Sequence, residues 1–124
     1  MGKNILVVED DKDASMLVEK ILLYYKHTVK IIPTSKEALE YCKNNPPPDI
    51  ILMDISLPEI TGLELTKMLK ELPAYKDTPI IATTAYSRSD MEKQAVEAGC
   101  AGMLSKPFTP SELVKTIEDY TKKA

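Results

Sequence analysis

Short apolar runs alternate with amphipathic segments along the whole of this 124-residue chain. The runs predict five strands, at residues 4–9, 28–32, 49–53, 79–84 and 102–105. Runs this short and this rich in Ile and Val are typical of strands buried in a parallel sheet. The intervening segments carry apolar residues at helical spacing. Five βα units account for the chain, so we predict a single α/β domain over residues 1–124, with right-handed crossovers and helices on both faces of the sheet.

Four of the predicted helices begin with a capping box, in which Ser or Thr precedes Glu by three residues. These pairs are Thr34 with Glu37, Thr61 with Glu64, Ser89 with Glu92, and Thr109 with Glu112. Pro110 falls at the first position of the last helix, where its missing N–H costs nothing. Gly99 follows the fourth helical pattern and is predicted to be the left-handed residue that ends it.

Charged residues follow three of the predicted strands at their carboxyl ends. Glu9 is the last residue of the first predicted strand and Asp10 follows it, while Asp54 follows the third strand and Lys106 the fifth. Because ligands of open parallel sheets bind beyond this edge, we expect these side chains to converge there. Packed carboxylates repel unless they are protonated or bound to a cation, and an oxygen-rich cluster suits Mg²⁺. A lysine adds a point charge that suits a phosphate, so the pattern predicts phosphoryl chemistry on an aspartate.

Composition excludes several other classes of protein. The net charge is −3 and there is no basic block, so we expect no binding to nucleic acid. No leader and no apolar stretch long enough to span a bilayer is present, which predicts no membrane association. Cys42 and Cys100 form no CxxC motif and are predicted to be reduced core residues of a cytoplasmic protein.

Four blocks of sequence together resemble the signature of the response-regulator receiver domain. They are Val7-Val8-Glu9-Asp10-Asp11, Leu52-Met53-Asp54-Ile55-Ser56-Leu57-Pro58, Thr83-Thr84-Ala85 and Ser105-Lys106-Pro107-Phe108. Their order and spacing fit the family, and the similarity covers essentially the full chain. The resemblance implies a flavodoxin-like (βα)₅ sandwich with strand order 2-1-3-4-5. It also implies a response regulator of two-component or phosphorelay signalling, which is not a conventional turnover enzyme.

The resemblance also assigns chemical roles to single residues. Asp54 matches the phospho-acceptor, whose carboxylate would attack phosphorus and form an acyl phosphate. Lys106 would pair with Asp54 or with its phosphoryl group. Thr84 would donate a hydrogen bond to the same group and move toward it on activation. Pro107 matches a proline that is often preceded by a cis peptide bond.

A Mg²⁺ ion is the cofactor that the resemblance implies. Asp10 and Asp54 match its carboxylate ligands, and Glu9 matches a residue that acts through water. The backbone carbonyl of Ser56 matches the third protein ligand. The ion would offset the charge that develops during phosphoryl transfer.

The implied partners are proteins. A histidine kinase or a histidine phosphotransfer protein would supply the phosphoryl group, and a downstream protein would bind the fourth helix, fifth strand and fifth helix. We expect that surface to include Tyr86, Arg88, Met103, Pro107 and Phe108. Met103 departs from the family, which usually carries an aromatic switch residue there. Methionine can repack but presents no ring, so the usual coupling to the threonine is in question.

Other interpretations of the same residues stay open at this point. Asp54 could cap the loop that follows it, and Asp11 suits an N-cap better than a metal ligand. Thr83 competes with Thr84, because strand alternation would send one of the two into the core. Asp11 and Asp13 superficially fit the DxD motif of haloacid-dehalogenase-type phosphatases. A degenerate receiver that only binds proteins and a flavodoxin-like flavin carrier are the remaining alternatives.

Overall fold

The computed structural model describes residues 2–85 and 89–122, which form one parallel sheet flanked by helices. The strands are β1 (Asn4–Val8), β2 (Thr28–Ile32), β3 (Ile50–Asp54), β4 (Ile80–Thr84) and β5 (Gly102–Ser105). The helices are α1 (Lys12–Tyr24), α2 (Ser35–Asn44), α3 (Gly62–Lys70), α4 (Ser89–Ala98) and α5 (Pro110–Thr121), with a short 3₁₀ helix at Pro73–Tyr75. The strand order β2-β1-β3-β4-β5 confirms the predicted topology, and every strand lies within one residue of its predicted bounds.

Strand alternation divides the core between the two faces of the sheet. On β1, Leu6 and Val8 join a cluster with residues of α2, α3 and α4, whereas Ile5 and Val7 join a cluster with residues of α1 and α5. We call these the α2–α4 face and the α1/α5 face. Because helices cover both faces, polar groups can gather only at the sheet's edges, and the carboxyl edge holds the candidate site.

The helix boundaries follow local chemistry in most cases. Thr61 and Thr109 form complete capping boxes, and the Thr34 hydroxyl accepts a hydrogen bond from the N–H of Glu37. Pro110 is the first residue of α5, and Gly99 has a φ of +109°, both as predicted. Ser89 differs, because α4 begins at this residue rather than after it.

Tyr75 is a core residue that the sequence patterns did not identify. It belongs to the 3₁₀ helix after α3 and is only 1% exposed. Its hydroxyl donates to the carbonyl of Asn45, at 3.1 Å, and so ties this helix to the proline-rich connector before β3. Three residues are too few to show a period, so no sequence pattern marked this position.

Cys42 and Cys100 are both free and buried, which agrees with their prediction as core residues. No helix in the described part of the chain is long and apolar enough to cross a membrane.

Leu69 provides a test of the core on the α2–α4 face. Its side chain is fully buried, whereas its neighbour Met68 is 37% exposed. We expect Leu69→Ala to lower the free energy of unfolding by about 2–5 kcal/mol, because it leaves a cavity. Met68→Ala should cost less than about 1 kcal/mol. Urea unfolding followed by circular dichroism measures both, and equal losses would contradict this packing.

Candidate functional site

Three strand ends bring the candidate residues together. Asp54 is the last residue of β3, Glu9 follows β1 by one residue, and Lys106 follows β5 by one residue. Glu9, Asp10 and Asp54 each place a carboxylate oxygen within 4.8 Å of the others. Asp54 is only 4% exposed and Glu9 only 6%, whereas Asp10 is exposed. The convergence expected from parallel strand ends is therefore present.

Lys106 bonds more closely to Glu9 than to Asp54. Its Nζ lies 2.6 Å from Glu9 Oε1 and 3.9 Å from Asp54 Oδ2. The sequence suggested only the contact with Asp54 or its phosphoryl group. The lysine therefore bridges two carboxylates, and one positive charge faces two buried acids.

Backbone groups orient the Asp54 carboxylate. The N–H of Ser56 donates to Asp54 Oδ1 at 2.9 Å, so one oxygen is held by the loop after β3. The other oxygen, Oδ2, is the one that faces Lys106. Asp54 therefore does cap the loop that follows it, but this role uses Oδ1 and does not explain the contact between Oδ2 and Lys106.

Gly62, the first residue of α3, packs directly on the backbone of Asp54. A Cβ at this position would lie 2.2 Å from the Asp54 carbonyl oxygen and 2.6 Å from Ile55 Cα. Only glycine allows such an approach. The start of α3 therefore supports the main chain that carries the candidate nucleophile.

Asp11 is the N-cap of α1, as one of the sequence interpretations proposed. Its Oδ1 accepts from the N–H of Asp13 at 3.0 Å and from the N–H of Ala14 at 3.4 Å. The N–H of Asp11 in turn donates to Glu9 Oε2 at 3.2 Å. Because its carboxylate is engaged by the helix, Asp11 is poorly placed to serve as the nucleophile of a phosphatase.

Thr83 and Thr84 lie on opposite faces of β4, and both are buried. Thr83 pairs with Asp54 in the register between β3 and β4, and Thr84 pairs with Ser105 of β5. The expectation that only one of them would enter the core is wrong. The assignment of Thr84 as the hydroxyl that contacts the phosphoryl group stays a prediction.

The residues expected on the output surface lie in two different places. Met103 lines a groove against α4 with Ala95 and Val96. Pro107 and Phe108 instead line a groove beside α1, on the other face of the sheet. The remaining two members, Tyr86 and Arg88, lie outside the described residues. The peptide bond between Lys106 and Pro107 is cis, as the resemblance implied.

Burial dominates the electrostatics of Glu9. Its pKa is raised from 4.5 to about 7, first by desolvation and then by a side-chain hydrogen bond with Asp54. The Lys106 ammonium and the Asp11 N–H act in the opposite direction but do not cancel it. Besides burial, repulsion by Asp54 raises the pKa of Glu9, and a hard divalent cation would offset the repulsion among the clustered carboxylates. Oxygen donors are the ligands that Mg²⁺ prefers. The residues present therefore fit Mg²⁺.

The raised pKa of Glu9 predicts a pH-dependent stability in metal-free protein. Between pH 4.5 and about 7 the folded state binds more protons at Glu9 than the unfolded state does, so the free energy of unfolding should fall as pH rises through this window. We expect Glu9 to contribute a loss of up to about 3 kcal/mol, which Glu9→Gln should remove. Urea unfolding in EDTA at pH 5 and pH 8 measures this. Identical pH slopes in wild type and variant would rule out a titrating Glu9.

Comparison with known proteins points to one family. A family model described as the response regulator receiver domain matches residues 5–118. The polar-differentiation response regulator DivK of Brucella ovis is 33% identical over 120 residues, which cover 97% of this chain and 97% of that protein.

Two solved structures are similar in fold. The chemotaxis response regulator CheY4 of Vibrio cholerae superposes with a TM-score of 0.91 at 28% identity, covering 97% of this chain and 99% of that one. The receiver domain of a sensor histidine kinase from Pseudomonas aeruginosa superposes with a TM-score of 0.89 at 27% identity, covering 98% of each chain. That structure has a magnesium ion coordinated in its active-site cleft.

Proposed function

Because the chain belongs to the response regulator receiver domain family of two-component signalling, we propose that it is switched by phosphorylation of Asp54. We further propose that the receiver domain occupies residues 1–124. One observation carries the choice of residue: Asp54 presents a buried carboxylate oxygen to Lys106 while the Ser56 N–H holds the other oxygen. Glu9 also contacts Lys106 while the Asp11 N–H holds its other oxygen, but of the two acids it is Asp54 that stands where the resemblance to the receiver family places the phospho-acceptor.

In the proposed reaction, Asp54 Oδ2 attacks the phosphorus of a phosphohistidine. A P–O bond forms on Asp54, and the P–N bond to the donor imidazole breaks. Lys106 would leave Glu9 for the incoming phosphoryl oxygens and balance part of their charge. Thr84, at the end of β4, would donate its hydroxyl hydrogen bond to the same group. The domain would thus catalyse its own phosphorylation and dephosphorylation without acting as a turnover enzyme.

Mg²⁺ is the proposed cofactor. Asp10, Asp54 and the backbone carbonyl of Ser56 would hold it, and Glu9 would act through water. When bound, the ion supplies positive charge against the carboxylates and the phosphoryl oxygens. The bound ion would then neutralise Glu9 in place of Lys106. The 2.6 Å contact between Lys106 and Glu9 is therefore compatible with a later role of Lys106 at the phosphoryl group.

The proposed partners are proteins in the cytoplasm. A histidine kinase or phosphotransfer protein would donate the phosphoryl group, and a downstream protein would read the phosphorylated state at the surface of α4, β5 and α5. Val96 of α4 is 69% exposed, which supports a contact there. We propose no binding to nucleic acid or membrane, in line with the net charge of −3.

A phosphorylation time course separates this function from its rivals. With acetyl phosphate and Mg²⁺ we expect transient labelling of at most one phosphoryl group per chain. A phosphatase would instead release phosphate at a steady rate, and a pure binding module would do neither. Phosphotransfer profiling against the histidine kinases of the source organism then identifies the donor.

A further inference from the structure

The loop that joins β3 to α3, residues 55–61, is held from outside by the first turn of α2. Ser35 is the first residue of α2, and its hydroxyl donates to the carbonyl of Ile60 at 2.5 Å. The same loop carries Ser56, whose N–H holds Asp54 Oδ1 at 2.9 Å. The contact from Ser35 therefore acts on the segment that orients the proposed phosphorylation site.

Helix α2 does not need the Ser35 hydroxyl for its own start. Thr34 is the N-cap, and its hydroxyl accepts from the N–H of Glu37 at 3.2 Å. Alanine is a better helix former than serine at the next position. Ser35 is only 3% exposed, and a buried hydroxyl costs free energy unless it is hydrogen-bonded. The bond to Ile60 thus serves the loop rather than the helix.

The loop has a backbone conformation that needs support. Glu59 has a φ of +64°, a left-handed value that is uncommon for residues other than glycine. A cleft of about 290 Å³ lies between the first turn of α2 and the loop residues Pro58 and Glu59. Packing alone therefore does not fix this part of the loop, and specific contacts must do so.

Two contacts from α2 reach this part of the loop, and the one from Ser35 is the stronger. Lys36 Nζ lies 3.7 Å from Glu59 Oε2, but the two side chains are 77% and 72% exposed. Exposed ion pairs of this kind contribute little because water and salt screen them. The Ser35 bond is shielded from water, and its loss would take a donor from the Ile60 carbonyl.

We propose that Ser35 is a positioning residue for the metal site. Its hydroxyl keeps the loop of residues 55–61 in the conformation that leaves the Ser56 carbonyl available to Mg²⁺. The inference rests on the proposed function, since it needs Mg²⁺-dependent phosphorylation of Asp54. When only a fraction of the molecules has the competent loop, the apparent affinity for the ion falls by that fraction, and saturating ion restores the competent state.

The experiment measures the rate of labelling by acetyl phosphate at increasing Mg²⁺ concentration. In Ser35→Ala the concentration for half-maximal rate should rise about three- to tenfold, as expected for one lost hydrogen bond. The rate at saturating Mg²⁺ should change less than about twofold. Ser35→Cys keeps a weaker donor at the same place, so its value should lie between wild type and alanine, and it carries the test if Ser35→Ala does not fold.

Ser15→Ala is the matched control for the loss of a nearly buried serine hydroxyl. Ser15 is 5% exposed, and its hydroxyl donates to the carbonyl of Lys12 within α1, at 3.0 Å. This bond does not reach the loop of residues 55–61. The Mg²⁺ dependence of Ser15→Ala should therefore match that of wild type.

Two second substitutions at Glu59 separate loop conformation from charge. Asparagine accepts a left-handed backbone more readily than glutamate does, so Glu59→Asn should restore most of the Mg²⁺ dependence when added to Ser35→Ala. Glu59→Gln removes the same charge and the contact with Lys36 but keeps the unfavourable φ. It should therefore give no rescue.

Three results overturn the proposal while wild type is still labelled at Asp54. They are an unchanged Mg²⁺ dependence in Ser35→Ala, an equal loss in Ser15→Ala, and a loss that Glu59→Asn repairs no better than Glu59→Gln. Failure of wild type to be labelled at Asp54 with saturating Mg²⁺ is a different result, which refutes the proposed function itself.

Discussion

Acetyl phosphate and Mg²⁺ should add one phosphoryl group to the wild-type chain and none to Asp54→Asn. The substitution removes the carboxylate that we propose as the nucleophile, so the loss should be complete rather than partial. The asparagine Oδ1 can still accept the Ser56 N–H bond that Asp54 accepts at 2.9 Å, so the loop after β3 should keep its conformation. Intact-mass spectrometry counts the phosphoryl groups directly.

The matched control for this experiment is Asp13→Asn. Asp13 is an exposed acid in the first turn of α1, and its side chain should not matter for labelling. If Asp54→Asn is labelled as fully as Asp13→Asn, another residue accepts the phosphoryl group and the assignment of Asp54 is wrong.

Asp10→Asn should weaken Mg²⁺ binding much more than Asp11→Asn. Asp10 belongs to the carboxylate cluster and is exposed, so its loss removes a ligand charge without disturbing the core. We expect a loss of affinity of about 10- to 100-fold, the range found when the surroundings of a metal site are altered. Titration calorimetry with Mg²⁺ measures both variants.

Asp11 is a sharp control because it is the immediate neighbour of Asp10 and carries the same charge. Its carboxylate caps α1, and asparagine is an equally good N-cap, so Asp11→Asn should stay folded. Its exposed charge is largely screened, and the affinity should change by less than about threefold. Equal losses in the two variants would mean that the wrong acid was assigned to the metal.

The sheet and the gathering of the site were predictable because both depend on the backbone. Apolar runs of five or so residues gave the strands, and parallel strands necessarily end at one edge, which places Glu9, Asp54 and Lys106 together. The preference of Lys106 for Glu9 was not predictable in the same way. It depends on how a flexible side chain chooses between two acids 97 and 52 residues away, and on how deeply each acid is buried.

Helix α1 shows another limit of pattern reading. Five apolar residues recur here at helical spacing and predict one apolar stripe: Leu17, Val18, Ile21, Leu22 and Tyr25. Of these, only Val18 and Leu22 are buried. A stripe of five residues is wider than the contact that one helix makes with a sheet, so periodicity overestimates the buried face. The most exposed of the other three, Leu17, lies at the groove that Pro107 and Phe108 also line.

The ion pair between Glu9 and Lys106 joins the residue after the first strand to the residue after the last one, across 97 positions of sequence. During synthesis on the ribosome, the acids therefore emerge long before the lysine that balances them. A nascent chain whose β5 has not yet left the ribosome would lack this counter-charge, and the edge of its β4 would still be unpaired. The candidate site is thus complete only when the last strand docks beside β4.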